Sequence, residues 1–433
     1  MTVLALLSLF IATASFAQNM KVTEKLLPNG LKVLLKEDHK SPVVTFQIWY
    51  RVGSRNERLG KTGMSHLLEH MMFKGTDKYG VKQFSQTVQR NGGNNNAFTA
   101  KDYTAYFENL ASDRIEVALD LESDRMQKLL IKPSEFLSER DVVKEERRMR
   151  YEDDPVRNSE EQLMAVAFIA HPYQWPVIGW MSDINNITRE DLYKHYQTYY
   201  GPNNATIVAV GDFDTEKLLI QILNYFGKLP PRQGLPKVDT IEPQQYGERR
   251  VIVKKQAELA AVFAGYKTPT VKHPDSYALE ILHGILAAGK SSRLYRFLVY
   301  EKQLALYVGG EYDSVSIDPN LFYIYAGVMP GKTPEDVEKA FYTEIDKLKT
   351  VPPTDTEIKK AKNQIEAAFI LGQDSIFYQA LLLGQFESVA SWKLLETYVD
   401  RIRAVSKEDI MRVANKYLSE DNRTVGVLIP LKN

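Results

Sequence analysis

The chain has 433 residues, and 55 Lys and Arg balance 55 Asp and Glu, so the formal net charge is zero. Without a broad basic field, a nucleic-acid backbone is not expected as the main partner. The absence of cysteine excludes disulfides, thiol catalysis and cysteine-bound metals. Any metal must therefore be held by His, Asp or Glu, and only seven histidines are present.

The N-terminus has the pattern of a secretory signal. Residues 3–14 form a nearly unbroken apolar run, and Ser15-Phe16-Ala17 follows with small residues at the two positions that a signal peptidase reads. We expect cleavage after Ala17, so that residues 1–17 are removed and the protein is exported to the periplasm or secreted. A short buried helix is the alternative, because no Lys or Arg precedes the run. No later stretch approaches the roughly 20 apolar residues of a transmembrane helix, so no membrane span is expected.

The two halves of the chain begin with similar patterns. The first has two strand-like runs around Asn29-Gly30, which is typical of a hairpin, and then a strand over residues 43–52. The second has strands near residues 250–254 and 260–266, followed by a long helix from Ser276. Strands mixed with helical patterns in each half predict α+β domains in which helices cover one face of a sheet.

A longer repeat relates the two halves. Residues 187–211 and 405–429 each have a capped amphipathic helix followed by a strand, and Thr188 and Ser406 begin the two helices 218 residues apart. The offset stays constant to the strand, which predicts two homologous domains, although a coincidental helix-strand similarity is the alternative. The prediction is an N-terminal domain at residues 18–230, a proline-rich linker at 231–248 and a homologous domain at 249–433.

A possible metal site begins at His66. His66, Glu69 and His70 have helical spacing and fall within one narrow arc of the helix surface. Two imidazoles four residues apart can reach one cation, and a carboxylate beside them can hold the attacking water. This is a zinc hydrolase arrangement, the reverse of His-Glu-x-x-His. The alternative is a pair of histidines that satisfy each other in a core.

The third ligand is expected on a later helix. Residues 133–151 form a predicted helix with Ser134 as its cap, on which Glu139 and Glu146 lie almost in line while Glu145 points away. Acidic groups beside a buried face are costly unless they are paired or bind a metal. We choose Glu146 as ligand and Glu139 as its support; helix geometry alone allows the reverse order, and a structural salt bridge is the alternative for either residue.

These motifs resemble the pitrilysin/insulinase family of zinc metallopeptidases, which includes the mitochondrial processing peptidase. The resemblance implies two homologous domains, each a mostly antiparallel sheet covered by helices on one face, that together form half of a clam-shaped enzyme. It also supports Glu146 as ligand and Glu139 as a residue that assists catalysis. The matching segments are GMSHLLEHMMFKGT at 63–76, NNNAFTAKDYTAYF at 94–107, ERDVVKEERRMR at 139–150 and HPYQWPVIG at 171–179.

The resemblance implies a peptidase with one Zn²⁺ per chain on His66, His70 and Glu146. Glu69 would take a proton from the attacking water and deliver it to the leaving amine. The substrate would be a peptide or an unfolded segment whose backbone adds as a strand to a sheet edge. That edge would comprise Asn96, Ala97, Phe98 and Thr99, whereas residues 94–96 read alone would be a polar turn.

One position departs from the family pattern and suggests a partner chain. The family has an Arg seven residues before a Tyr that contacts the substrate; Tyr307 matches the Tyr, but Tyr300 stands where the Arg is expected. A neutral phenol cannot replace a guanidinium that binds an oxyanion. We therefore expect a heterodimer in which a homologous chain supplies the Arg and Tyr. The alternative is a homodimer in which Arg296 or Arg293 compensates, although Arg293 alone is more typical of a structural residue at a helix start.

A different class of function also fits the fold family. Some members are catalytically silent scaffolds, like the core subunits of the respiratory complex that share the fold. Silent members typically lose a ligand or the base, whereas His66, Glu69, His70 and Glu146 all stand here. The sequence therefore favours the peptidase over the scaffold.

Overall fold

The computed structural model describes residues 20–431. The predicted signal peptide, residues 1–17, lies outside the described residues, and its cleavage stays a prediction. Within the described range the strands form two sheets, one in each half of the chain.

The two sheets have the same topology. The first has the order β1-β2-β6-β3-β5-β4 and the second β7-β11-β8-β10-β9, and each contains one parallel pair, β2 with β6 and β7 with β11. The second order therefore repeats the last five strands of the first, as a duplicated domain requires. The strands are β1 (Thr23–Leu26), β2 (Lys32–Glu37), β3 (Val43–Tyr50), β4 (Asn94–Thr99), β5 (Thr104–Ala111), β6 (Ala205–Gly211), β7 (Arg249–Lys255), β8 (Ala261–Thr268), β9 (Ala305–Tyr312), β10 (Asn320–Val328) and β11 (Arg423–Pro430).

Helices connect and cover these strands. Those of the first half are α1 (Met64–Met71), α2 (Gln83–Arg90), α3 (Ile115–Lys128), α4 (Pro133–Arg147), α5 (Pro155–Ala167), α6 (Met181–Asn186), α7 (Arg189–Tyr199) and α8 (Thr215–Phe226). Those of the second half are α9 (Asp275–Leu286), α10 (Arg293–Tyr295), α11 (Pro334–Thr350), α12 (Asp355–Gly372), α13 (Ile376–Val389), α14 (Tyr398–Ala404) and α15 (Lys407–Tyr417). Two π-helical turns, Arg148–Glu152 and Arg296–Glu301, extend α4 and α10.

The repeated helix-strand segments share their local contacts. Thr188 caps α7 and Ser406 caps α15, each in a capping box with the acid three residues later. The side-chain amide of Asn204 donates to the carbonyl of Tyr199 at 2.9 Å, and that of Asn422 donates to the carbonyl of Tyr417 at 2.8 Å. Equivalent contacts at equivalent positions support the predicted duplication.

Some predicted boundaries need correction. The helix predicted over residues 133–151 does not use Ser134 as its cap: it begins at Pro133 after the extended Lys132, because proline has the fixed φ and missing N–H that suit a first helical position. The α-helix then ends at Arg147 and continues as the π-helical turn. The strand predicted over residues 43–52 ends at Tyr50, and the helix predicted from Ser276 begins one residue earlier.

Each sheet is covered on both faces, and one face of each receives a helix from the other domain. The domain's own helices pack on the first face. The second face of the N-terminal sheet packs against α13, where Trp49 and Val208 belong to the same buried apolar cluster as Leu383. The second face of the C-terminal sheet packs against α5, where Leu163 and Phe263 belong to one buried apolar cluster. The exchange of α5 and α13 interlocks the two domains.

The segment between the domains has no helix or strand from the end of α8 to the start of β7 in the described chain. It is nevertheless anchored, because the Glu242 carboxylate accepts hydrogen bonds of 3.0 to 3.1 Å from the backbone N–H groups of Ile169, Ala170 and His171. The domain boundaries proposed from the sequence stay a prediction.

Within residues 20–431, no single helix is long and apolar enough to cross a bilayer. The consecutive helices α12 and α13 are long and apolar enough only when taken together, and they are bent by 112° relative to each other.

Candidate metal centre

Helix α1 presents three polar side chains to α4. Leu67, Leu68 and Met71 are fully buried in the N-terminal core and fix the opposite face of the helix. His66, Glu69 and His70 therefore lie on the face that meets α4, as their spacing predicts. The rings of His66 and His70 are 4.8 Å apart, centroid to centroid.

Glu146 of α4 faces both imidazoles. Its Oε2 atom lies 3.8 Å from His66 Nε2 and 3.5 Å from His70 Nε2. One ligand atom from each of the three residues lies within 4.8 Å of the others. Ligands of a tetrahedral zinc ion at bond lengths of 2.0 to 2.2 Å are separated by about 3.3 to 3.5 Å. The three side chains could therefore hold one zinc ion after small movements. The fourth coordination position of that ion would stay open.

Glu139 lies behind His70, on the side away from Glu146. Its Oε1 atom is 3.0 Å from His70 Nδ1, and its other oxygen pairs with the Lys74 ammonium. Burial raises the pKa of Glu139, but hydrogen bonds from His70 and Lys74 outweigh it and hold that pKa below its usual value. A carboxylate on the far nitrogen of a ligand histidine fixes its tautomer and orientation.

The pKa values of the two histidines indicate that the site favours a bound cation. Burial and the neighbouring His70 lower the pKa of His66 to about 4, so its imidazole is neutral and available as a ligand. Burial also acts to lower the pKa of His70, yet hydrogen bonds with Glu139 and Glu146 raise it to about 9. The same carboxylates that hold a proton on His70 would stabilise a cation bound between the three side chains.

Glu69 lies beside the metal group rather than in it. Burial raises its pKa, and the Thr99 hydroxyl donates to its Oε2 atom. A carboxylate with a raised pKa, next to a metal site, is suited to take and return a proton.

Glu146 also makes an ion pair, as the salt-bridge alternative anticipated. Its Oε1 atom lies 3.0 Å from the guanidinium of Arg150 in the π-helical turn. The Arg150 side chain is 70% exposed, so this contact is at the surface, and Oε2 still faces the histidines. The ion pair and a ligand role for Glu146 are therefore compatible.

The residues proposed to bind substrate form an edge strand. Asn96, Ala97, Phe98 and Thr99 belong to β4, so the alternative of a polar turn is wrong for residues 94–96. β4 is the last strand of its sheet and pairs only with β5 among the described strands, which leaves its outer edge available for another strand. Within β4, Thr99 contacts Glu69, whereas Phe98 packs against Trp49 in the core beneath α13.

The C-terminal residues of interest lie on or near another edge strand. Tyr307 is on β9 and packs against Tyr325, outside the group formed by His66, His70 and Glu146. Tyr300 is 59% exposed beside Tyr295. Two further sequence candidates have contacts of their own: Arg293 forms two hydrogen bonds with Glu357, at 2.7 and 2.9 Å, and Arg296 lies 3.8 Å from Glu301.

Comparisons with known proteins show the family to which the chain is related. Residues 32–179 match the family model described as Insulinase (Peptidase family M16), and residues 186–365 match the one described as Peptidase M16 inactive domain. The chain is 35% identical to the zinc protease PqqE of Helicobacter pylori, over 93% of this chain and 92% of that protein. It is 28% identical to an uncharacterized zinc protease of Mycobacterium leprae, over 93% of this chain and 91% of that protein.

Solved structures show the same architecture. A crystal structure of a protease from Helicobacter pylori matches with a TM-score of 0.92 at 34% identity, over 95% of this chain and 99% of that chain. A peptidase M16 inactive domain from Pseudomonas fluorescens matches with a TM-score of 0.84 at 19% identity, over 95% and 98%, which shows the fold alone. By its fold and by the geometry of its candidate metal site, the chain is a two-domain protein related to zinc proteases. The chain belongs to the insulinase family, peptidase family M16.

Sequence reasoning did not identify the partner residues in three contacts at the site. Lys74 pairs with Glu139, Arg150 pairs with Glu146, and Glu57 accepts hydrogen bonds from the start of α1. Arg150 lies four residues after Glu146 in the π-helical continuation of α4, a spacing that indicates neighbouring side chains on a helix. Lys74 lies beyond the end of α1, so its contact with Glu139 has no such signal. The contact of Glu57 depends on the path of a loop and has no such signal.

Proposed function

We propose that this protein is a zinc-dependent endopeptidase that cleaves peptides or unfolded segments. The observation that carries the proposal is the meeting of His66, His70 and Glu146 around one point, with the half-buried Glu69 beside it. Relatives along nearly the whole chain are named zinc proteases, in agreement with this assignment.

The residues of the chain have separate tasks in this reaction. His66, His70 and Glu146 would hold zinc, which lowers the pKa of water and polarises the carbonyl of a peptide bond. Glu69 takes the proton of the attacking water on its carboxylate and returns it to the amine that leaves. Glu139 keeps the His70 ring in its orientation, and Thr99 donates a hydrogen bond that orients Glu69.

The edge of β4 gives the substrate its position. An extended peptide that pairs with this edge would run past Thr99, whose hydroxyl contacts the proposed base. Pairing through the main chain requires an extended segment, so folded proteins should resist cleavage until they unfold. The proposed substrate class is therefore flexible peptides rather than compact domains.

Substitution Glu69→Gln tests the mechanism. The amide keeps the size of the side chain but cannot accept the proton, so we expect hydrolysis of a quenched-fluorescent peptide to fall by about 10²- to 10⁴-fold while zinc affinity is retained. Glu145→Gln is a matched control, because Glu145 is exposed on α4 and pairs with Arg148. Unchanged cleavage by Glu69→Gln would reject the assigned mechanism.

We also propose that a homologous chain completes the site. The exposed Tyr300 stands where an Arg is expected, and Arg293 is engaged by Glu357, which supports supply of the Arg and Tyr pair in trans. The purified protein should then be weakly active alone and fully active with such a partner, and Tyr300→Arg should raise the activity of the chain alone. Full activity of the unmodified chain as a homodimer would reject the heterodimer.

A silent scaffold is the less favoured function. The family model described as inactive matches residues 186–365, whereas the proposed ligands and base lie in the part that matches the insulinase model. A scaffold would have no need for Glu69 beside the histidines. The Glu69→Gln experiment separates the two functions, since a scaffold would show no peptide hydrolysis in either form.

Export is proposed from the first residues of the chain. Their apolar run and the small residues before Gln18 support removal of residues 1–17. Mass spectrometry of the protein from its native host should find a mature chain that begins at Gln18. A chain that retains Met1 and remains inside the cell would contradict the proposal.

A further inference from the structure

Helix α1 has no side-chain cap of its own. Gly63 occupies the N-cap position with φ of 91°, in the left-handed region that favours glycine. A Cβ atom there would lie 2.4 Å from the carbonyl oxygen of Ile178, so the close approach of the two backbones also requires glycine. The amides of the first turn, which have no partner within the helix, must therefore be satisfied by another residue.

Glu57 supplies the missing cap. Its Oε2 atom accepts a hydrogen bond from the backbone N–H of Gly63 at 2.6 Å, and its Oε1 atom accepts one from that of Ser65, also at 2.6 Å. Glu57 is buried, so both hydrogen bonds lie away from water. Both oxygens are used, so the first turn is fixed at two points.

Other buried side chains support the same turn. The Ser65 hydroxyl lies 3.1 Å from His195 Nε2 on α7. The Asp183 carboxylate of α6 accepts from the backbone N–H of Thr62 at 3.2 Å and from its hydroxyl at 2.8 Å. The beginning of α1 is therefore also held by contacts to two other helices, α6 and α7.

The two histidines differ in what orients their rings. His70 has Glu139 on its Nδ1 atom, but the buried Nδ1 atom of His66 has no hydrogen-bond partner among the residues that the structure describes. The position of the His66 ring is thus set by its packing and by the backbone of the first turn, in which it directly follows Ser65. Any displacement of that turn moves His66 Nε2 relative to Glu146.

We propose that Glu57 is a positioning residue for zinc binding. Glu139 orients the His70 ring directly, whereas Glu57 orients His66 indirectly, because it fixes the first turn of α1. This inference rests on the proposed zinc peptidase function. It assigns a role to a buried carboxylate that contacts neither the metal ligands nor the substrate edge.

Substitution Glu57→Gln tests the inference. The amide has nearly the same shape but replaces one acceptor by a donor that would face a backbone N–H. We expect zinc affinity, measured by competition with a chromophoric chelator, to fall by about 10- to 100-fold, as for loss of an outer contact of a metal ligand. At saturating zinc, kcat should fall while KM for the peptide is unchanged, because the edge of β4 is not altered.

Asp214→Ala is the matched control. Asp214 caps α8 in the same domain through the backbone N–H of Lys217, so its loss removes a helix cap without a contact to α1. This variant should lose thermal stability but keep its zinc affinity. If both variants lose zinc affinity equally, or if Glu57→Gln binds zinc within twofold of the parent, the inference is wrong.

Two further measurements keep the test decisive. If Glu57→Gln does not fold, Ser65→Ala removes the hydroxyl that contacts His195 and interacts with the Glu57 carboxyl group. It should weaken zinc binding by about fivefold, the equivalent of one buried hydrogen bond; unchanged affinity would overturn the inference. A parent protein that binds no zinc would instead overturn the proposed function itself. The two failures are therefore distinguishable.

Discussion

At the scale of single residues, three glutamates of the site have different environments and different proposed tasks. Glu146 faces both imidazoles, Glu139 contacts the far nitrogen of one imidazole, and the half-buried Glu69 lies beside them. Residue spacing predicted that the two helices would bring these groups together. It did not predict the pairing of Lys74 with Glu139, because the turn that follows α1 sets the reach of the lysine.

Glu139→Ala should weaken zinc binding by about 10- to 100-fold, because His70 would lose the contact that orients its ring. A competition titration with a chelator measures the change. Glu145→Ala provides the comparison, since that side chain is on the same helix but 63% exposed. Equal affinities for the two variants would show that Glu139 does not support the metal site.

At the scale of helices and strands, local chemistry was predictable where a side chain acts on its own backbone. The capping boxes of α7 and α15 follow from Thr188 and Ser406, each with an acid three residues later. The prediction failed at Ser134, where Pro133 determines the start of the helix instead. From the sequence alone, residues 94–96 could also have been a turn. A polar segment of this kind forms a strand only when a neighbour such as β5 pairs with it.

The buried carboxylate of Asp275 on α9 contacts three side chains of α15, so the stability of the protein should depend on pH. Burial acts to raise the pKa of Asp275, but hydrogen bonds from Tyr417, Arg412 and Lys416 lower it to about 2. A lowered pKa stabilises the folded state above the unfolded value near 3.8, and this contribution is lost as the pH falls from about 4 toward 2.

Asp275→Asn should therefore lower the free energy of unfolding at pH 7 by about 1 to 2 kcal/mol and flatten its decline below pH 4. Urea unfolding of the parent and variant across pH 2 to 7 measures both effects. An unchanged difference in stability between the two proteins from pH 7 to pH 2 would contradict the assignment.

At the scale of the whole molecule, the exchange of α5 and α13 makes the two domains one unit. The duplication and the α+β class were predictable from patterns within each half. The exchange was not, because a largely apolar helix such as α13 must be buried somewhere, but its sequence does not say against which sheet. The contact of Trp49 with α13 depends on Gly384, where a Cβ atom would lie 2.1 Å from the indole.

Gly384→Ala should destabilise the protein by about 1 to 3 kcal/mol, because the added methyl group pushes α13 away from the N-terminal sheet. Equilibrium unfolding in urea, followed by tryptophan fluorescence, measures the loss. Ala367→Ser, at an exposed position of α12, should change stability by less than about 0.5 kcal/mol. A Gly384→Ala protein as stable as the parent would show that the close contact does not couple the domains.

The central claim is that His66, His70 and Glu146 hold one zinc ion with a position left open. Zinc K-edge X-ray absorption of the protein loaded with one equivalent of zinc tests it most directly. We expect a four-coordinate shell of two imidazole nitrogens and oxygen ligands at about 2.0 to 2.2 Å, with one imidazole lost in His66→Ala. A shell without imidazole, or an identical spectrum for His66→Ala, would contradict the account.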